Sequence, residues 1–281
     1  MKINYLNYNN QLLPDNEPIL KAQNRGFKFG DGVFESMRML NGKLAFADLH
    51  ADRIKAAMKA LKLDGYNYFD SYFLKQKTTE LLKKNRWFGN ARFRLSIFRA
   101  GEGLFTPLEN KAEYILESLE MPSSQYELNK KGLIMGVYDD IPKAIHVLSN
   151  YKTLNALPNV MAGVYQKQKG WDEAFLLNQN GFLCESTSSN VFIKYQDQLY
   201  TPALSEGCVA GVMRNVIIML ASMEDIHITE AQINPEILKE ADEVFITNAS
   251  SGIRWVMGYG RKRYFNEMAK YLHLKLNNYL R

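Results

Sequence analysis

The hydrophobic period of this chain changes along its length. Ile54, Ala57, Met58 and Leu61 fall at i, i+3, i+4 and i+7, so Asp48 to Leu63 is expected to form a helix with one apolar face, Lys55, Lys59 and Lys62 outside and Arg53 near its start. From Ala91 to Phe98 apolar and polar residues alternate instead, which puts Arg92, Arg94 and Ser96 on one face of a strand. The sequence thus alternates strand-like and helix-like stretches. The fold class expected is mixed α/β.

The same reading places strands at Glu113 to Leu119, Gly132 to Tyr138, Val191 to Tyr195 and Glu243 to Thr247, and reads the N-terminus, Met1 to Asn7, as the start of a strand. Helices are expected at Asn155 to Lys169, where Pro158 fits a first turn, at Val212 to Ser222, and around Met268, Tyr271, Leu272, Leu276 and Tyr279. Asn178-Gln179-Asn180-Gly181 between two apolar runs is a hairpin signal that delivers Glu185 to the end of the return strand. The small polar residues Met121-Pro122-Ser123-Ser124-Gln125 read as a linker. Two domains are therefore expected, 1–120 and 128–281, joined by 121–127.

Several function classes recede on composition. The net charge of +5 is mild and its 35 basic residues are spread among 30 acidic ones, so nucleic acid is not an expected partner. No apolar run is long enough to span a membrane, and the N-terminus has no leader pattern, which suggests a cytoplasmic protein. Cys184 and Cys208 read as reduced core cysteines, and the four histidines lack metal-ligand spacing, so no metal is assigned.

Chemistry is suggested by Ser149-Asn150-Tyr151-Lys152-Thr153-Leu154-Asn155 and by Glu185-Ser-Thr-Ser-Ser-Asn190-Val-Phe192. Lys152 offers an amine that can capture an aldehyde, and Glu185 a carboxylate that can hold a proton on a pyridine nitrogen. Glu206 to Arg214 supplies two glycines entering an apolar helix, where backbone N–H groups can bind a phosphate, and Asn248 to Gly252 is a second small polar loop. Each feature alone would equally suit a surface lysine, a solvent-facing glutamate or an ordinary turn.

Together these segments resemble the class IV aminotransferases, the fold type IV pyridoxal phosphate enzymes. Glu185-x-Thr187-x-x-Asn190-Val191-Phe192, Leu199-x-Thr201 and Val209-x-Gly211-Val212-x-Arg214 fit the signature. Arg25 to Glu35 and His50-x-x-Arg53 resemble its N-terminal motifs. The resemblance implies a small N-terminal α/β domain, a larger C-terminal domain with a barrel-like sheet, a site between them, and a homodimer. It makes Lys152 the lysine of the internal aldimine, which also shuttles the proton between Cα and C4′, and Glu185 the partner of the pyridine nitrogen. Arg53, Asn190, Gly211, Val212, Met213, Asn248 and Ser250 become cofactor-binding residues. Phe34, Arg94 and Arg99 become candidates for contact with small amino and oxo acid substrates, the arginines because a guanidinium fork grips a carboxylate.

The branch within the family stays open. Lys152-Thr153-Leu154-Asn155 is similar to the lyase and D-amino acid branches, and neither Ala156 nor Leu157 supplies the tyrosine of the branched-chain enzymes. Phe34-Glu35-Ser36-Met37-Arg38 looks more like the branched-chain motif, and Arg99-Ala100-Gly101-Glu102 lacks the carboxylate trap of the D-amino acid enzymes. Transamination is the favoured expectation. The alternatives are an aminodeoxychorismate lyase that releases pyruvate and 4-aminobenzoate, and a non-catalytic protein that binds the cofactor.

Overall fold

A computed structural model describes residues 4–281. The chain divides into two compact units, one holding the chain up to Gln125 together with Tyr151–Asn155, the other Tyr126–Asn150 and Ala156–Arg281.

The first unit contains β1 (Tyr5–Tyr8), β2 (Gln11–Pro14), α1 (Arg25–Phe29), β3 (Gly32–Leu40), β4 (Lys43–Leu44), α2 (Ala47–Ala60), α3 (Ser71–Lys84), β5 (Ala91–Arg99) and β6 (Ala112–Glu120). Its strands form one sheet in the order β2-β1-β6-β5-β3-β4, every pairing antiparallel. Val33, Met37, Phe93, Leu95 and Ile97 share a core with Ile54 and Met58 of α2 and Leu74 and Leu81 of α3, so the helices cover one sheet face. Burying such side chains stabilises the fold by about 1.5–3 kcal/mol each. The expected period-two strand and amphipathic helix therefore meet each other.

Tyr151–Asn155 adds to the start of β3 through Phe34 N–H to Lys152 O at 2.8 Å and Leu154 N–H to Gly32 O at 2.9 Å. Glycine is needed at position 32, because a Cβ there would overlap Ile97 O and lie 2.8 Å from both Leu154 Cδ1 and Phe98 Cα. The helix expected from Asn155 begins at Leu157. Backbone groups of 152–154 are used in strand-like pairing first.

The second unit runs β7 (Leu133–Lys143), α4 (Leu157–Lys169), β8 (Glu173–Asn178), β9 (Leu183–Ser186), β10 (Asn190–Tyr195), β11 (Gln198–Pro202), α5 (Val212–Ser222), β12 (Ile228–Ala231), β13 (Glu243–Asn248), β14 (Gly252–Tyr259), β15 (Lys262–Arg263) and α6 (Glu267–Tyr279). The order of its mixed sheet is β12-β11-β10-β13-β14-β7-β8-β9, with β15 on β14. β9, at one edge, also lies against β10 and β11, so the sheet curls toward a barrel. Phe175, Val191, Val244, Ile246 and Val256 form its core.

Two local outcomes differ from the periodicity. β7 continues past Tyr138 to Lys143, with a register shift before Lys143 pairs with Asn178, and that irregularity is where a strand tolerates Pro142. In the hairpin only Gly181 takes a positive φ, +80°. Asn178 instead closes the turn with its side chain, Oδ1 accepting from Asn180 N at 3.0 Å and Phe182 N at 3.1 Å. The N-terminal strand is Tyr5–Tyr8, and the first three residues of that expectation lie outside the described residues. Among the described residues no helix is long and apolar enough to cross a membrane.

Candidate active site

Strand alternation divides the functional side chains of the first unit. Val33, Glu35 and Met37 turn toward the helix-covered face, while Phe34 and Ser36 turn to the other, opposite Ser96 and Arg94 of β5. Phe34 is flanked by cations. Arg94 Cζ lies 3.9 Å from the ring centroid and Lys152 Nζ 4.4 Å. Both distances suit attraction to the negative face of the ring. Lys152 is half-buried, and its carbonyl is fixed by the Phe34 amide, so ring and amine are positioned by the same short pairing. Arg94 makes no ion pair among the described residues. Burial pulls its pKa below the ordinary arginine value, Glu117 opposing and Arg92 assisting.

Arg99 lies elsewhere on β5 and is committed to structure. Its Nε donates to Asp31 at 3.0 Å, Nη1 to Asn110 at 2.6 Å and Lys62 O at 3.3 Å, and Nη2 to Leu61 O at 2.7 Å. Arg94 is therefore the better placed of the two arginines for a substrate carboxylate.

Arg53 reaches from α2 to Glu35, Nε donating to Oε2 at 3.0 Å while Nη2 pairs with Oε1. His50 Nδ1 lies 3.0 Å from the same carboxylate. Burial alone would raise the Glu35 pKa, but Arg53 and then His50 outweigh it and hold the carboxyl down at about 2. Arg53, a phosphate candidate from the sequence, is thus oriented by a buried anion.

In the second unit Glu185 is the penultimate residue of β9, with only 5% of its surface exposed. Its Oε2 accepts the Val209 amide at 2.8 Å, and its Oε1 accepts Lys143 Nζ at 2.6 Å and Asn159 Nδ2 at 3.4 Å. Burial works against the Lys143 cation, yet the Glu185 carboxylate outweighs it and raises its pKa above the ordinary lysine value. The neighbouring thiols are kept protonated. Burial pushes Cys184 well above the usual range and Cys208 up to about 11.

Asn190 opens β10 and donates to Val209 O at 2.9 Å, so it fixes the loop whose amide also holds Glu185. Gly211 closes against it, and a Cβ at 211 would overlap Asn190 Oδ1 and stand 2.8 Å from its Cγ. Gly211 is the N-cap of α5 and offers no side-chain cap to the first-turn amides, which begin at the buried Val212 and Met213. Such amides, with the helix dipole, attract an anion. Asn248 organises the second small loop, its Oδ1 accepting from Ser250 N at 3.0 Å and Ser251 N at 2.9 Å and its Nδ2 donating to Ser189 Oγ at 3.1 Å. Arg214 of the signature is structural. It is 2% exposed and serves Pro202 O at 2.9 Å and Glu230 at 2.6 Å.

These residues match what pyridoxal phosphate requires. Lys152 supplies an amine, Glu185 a buried carboxylate for a ring nitrogen, and the uncapped start of α5 supplies donors for a phosphate, at a glycine that leaves room for the Asn190 amide. Three participants escaped the sequence reading. Lys143 follows Pro142, which reads as a strand end; Asn159 looks like any first-turn residue of α4. Glu173 looks like a strand-edge acid, yet it is 4% exposed and accepts from Ser186 Oγ at 2.5 Å and Ser188 Oγ at 2.7 Å, with Arg254 paired to it, bracing the turn after Glu185.

The family model described as "Amino-transferase class IV" matches residues 32–258. A D-alanine aminotransferase of Bacillus licheniformis is 27% identical over 253 residues, covering 88% of this chain and 85% of that protein. An aminodeoxychorismate lyase of Bacillus subtilis is 28% identical over 248 residues, 86% of this chain and 82% of that one. Among solved structures, the branched-chain aminotransferase of Thermoproteus uzoniensis with norvaline superposes with a TM-score of 0.87 at 21% identity, over 98% of this chain and 93% of the other. The matching family is one of pyridoxal phosphate enzymes. The chain belongs to the class IV aminotransferases.

Proposed function

We propose that the protein is a transaminase that moves an amino group from an amino acid to a 2-oxo acid. The observation that carries this reading is the Glu185 carboxylate, 5% exposed and fixed by Val209 at 2.8 Å and Lys143 at 2.6 Å, because an anchored, buried carboxylate is the group that favours a proton on a pyridine nitrogen. When bound, pyridoxal phosphate supplies an aldehyde for amines and a ring that draws electrons from the donor's Cα. Lys152 Nζ is the amine that holds the cofactor and the base that takes the Cα proton. Glu185 accepts a hydrogen bond from the protonated ring nitrogen. The first amides of α5, with Arg53 and the Asn248–Ser250 loop, hold the phosphate. Arg94 grips the donor carboxylate, and the Phe34 ring shapes the space beside it.

A homodimer in the cytoplasm completes the proposal. Phe27 on α1 and Leu104, Phe105 and Leu108 between β5 and β6 are 76–89% exposed, and Arg25 of α1 donates to Leu104 O at 2.6 Å. Such a patch favours cover by a second copy, and sedimentation at dilute concentration reads the outcome.

The second reading, a lyase, is supported by the Bacillus subtilis relative and by Lys152-Thr153-Leu154-Asn155. The test adds one candidate donor at a time to the cofactor-loaded protein. Transamination predicts stoichiometric loss of the visible cofactor band with release of a 2-oxo acid, reversed by adding a different 2-oxo acid. Repeated pyruvate release from aminodeoxychorismate with no acceptor present would replace this reading with the lyase.

A further inference from the structure

Lys143 is bonded directly to Glu185, its Nζ 2.6 Å from Oε1, with the two side chains 15% and 6% exposed. Other titratable groups lie near the pair. Cys184 on β9 and Cys208 before α5 carry no charge near neutral pH, because burial keeps both thiols protonated. Glu206 is engaged by Asn178 Nδ2 at 2.8 Å and Gln232 Nε2 at 3.3 Å, and Arg214 by Pro202 O at 2.9 Å and Glu230 at 2.6 Å.

A lone buried carboxylate strongly favours the protonated form of a basic nitrogen beside it. One already paired with an ammonium is closer to a neutral dipole and favours that proton less. We propose that Lys143 is a positioning residue that fixes the Glu185 carboxylate and limits the proton affinity that Glu185 confers on the cofactor's ring nitrogen. Lys143 thereby sets how strongly the ring draws electrons, while Lys152 handles the proton at Cα. The inference rests on the reading of Glu185 given above.

The test loads the protein with cofactor labelled with nitrogen-15 in the ring and follows the ring-nitrogen chemical shift against pH. In Lys143→Met and Lys143→Gln the nitrogen should keep its proton to a pH at least about one unit higher than in the unsubstituted protein, a tenfold gain in proton affinity. Lys143→Arg, which keeps the charge, should stay with the unsubstituted protein. Should the methionine variant fail to fold or load, the glutamine variant carries the comparison, because it can still donate to Glu185. An unchanged or lowered midpoint in the uncharged variants overturns the inference, as does Lys143→Arg moving with them. It also fails if the unsubstituted protein holds the proton at every pH where it stays folded. Glu185→Gln separates the two levels of the argument. If it leaves the signal unmoved, the Glu185 reading itself is wrong; if it moves the signal and the uncharged Lys143 variants do not, only Lys143 has been misassigned.

Discussion

Substituting Gly211 by alanine puts the packing at the start of α5 under direct test. Its φ of −69° is ordinary for alanine, so no backbone strain arises and the whole cost comes from the added methyl. That methyl overlaps Asn190 Oδ1 and lies 2.8 Å from Cγ and 3.2 Å from Nδ2. Asn190 is 7% exposed and has little room to retreat without giving up its 2.9 Å bond to Val209 O. Overpacking of this kind costs about 1–3 kcal/mol. The lost hydrogen bond adds about 0.5–1.5 kcal/mol. Gly211→Ala should therefore destabilise the cofactor-free protein by about 2–4 kcal/mol. It should also weaken pyridoxal phosphate binding, because Val209 holds Glu185 and 211 opens α5. The assay is urea unfolding of both single variants and of the double variant with Asn190→Ala. With the Asn190 side chain gone, Gly211→Ala should become nearly neutral, so most of its cost appears as coupling between the sites. Equal cost in both backgrounds would refute the argument.

Glu35→Gln should flatten the acid limb of stability. A carboxyl held at about 2 in the fold, against 4.5 unperturbed, stabilises fully above pH 4.5 and loses that contribution as pH falls toward 2. The amount is about 3 kcal/mol, read as the pH dependence of the urea midpoint. Arg94→Leu should raise KM for carboxylate donors about 10- to 100-fold, the loss of a charged hydrogen bond worth about 1.5–3 kcal/mol, with the melting temperature nearly unchanged. A simple amine donor should be unaffected. Arg99→Leu should do the reverse and unfold the protein more readily, since it strands Leu61 O and Lys62 O and leaves Asp31 with Arg25 as its remaining arginine; a KM effect without a stability effect would contradict the division of roles.

Elements with one uniform period were legible in the sequence. α2, β5 and α5 lie within a few residues of where Ile54 to Leu61, Ala91 to Phe98 and Val212 to Ser222 place them. Side-chain commitments were not legible, because they depend on partners distant in the chain. Nothing in the local sequence of Arg99 distinguishes it from Arg94, yet Asp31 and the carbonyls of Leu61 and Lys62 absorb its donors. Lys143 is 42 residues from Glu185, hidden behind a proline that local rules read as a strand end. The strip Tyr151–Asn155 carries no periodicity at all. It takes its conformation from the amide of Phe34 and the carbonyl of Gly32.

Chemical marking tests most directly which lysine holds the cofactor. Borohydride reduction of the loaded protein fixes the cofactor covalently to the lysine that carries it, and peptide mapping by mass spectrometry locates the added mass. The account predicts the label on the peptide containing Lys152, with Lys143 unmodified. Label on Lys143, or on any other lysine, would contradict it.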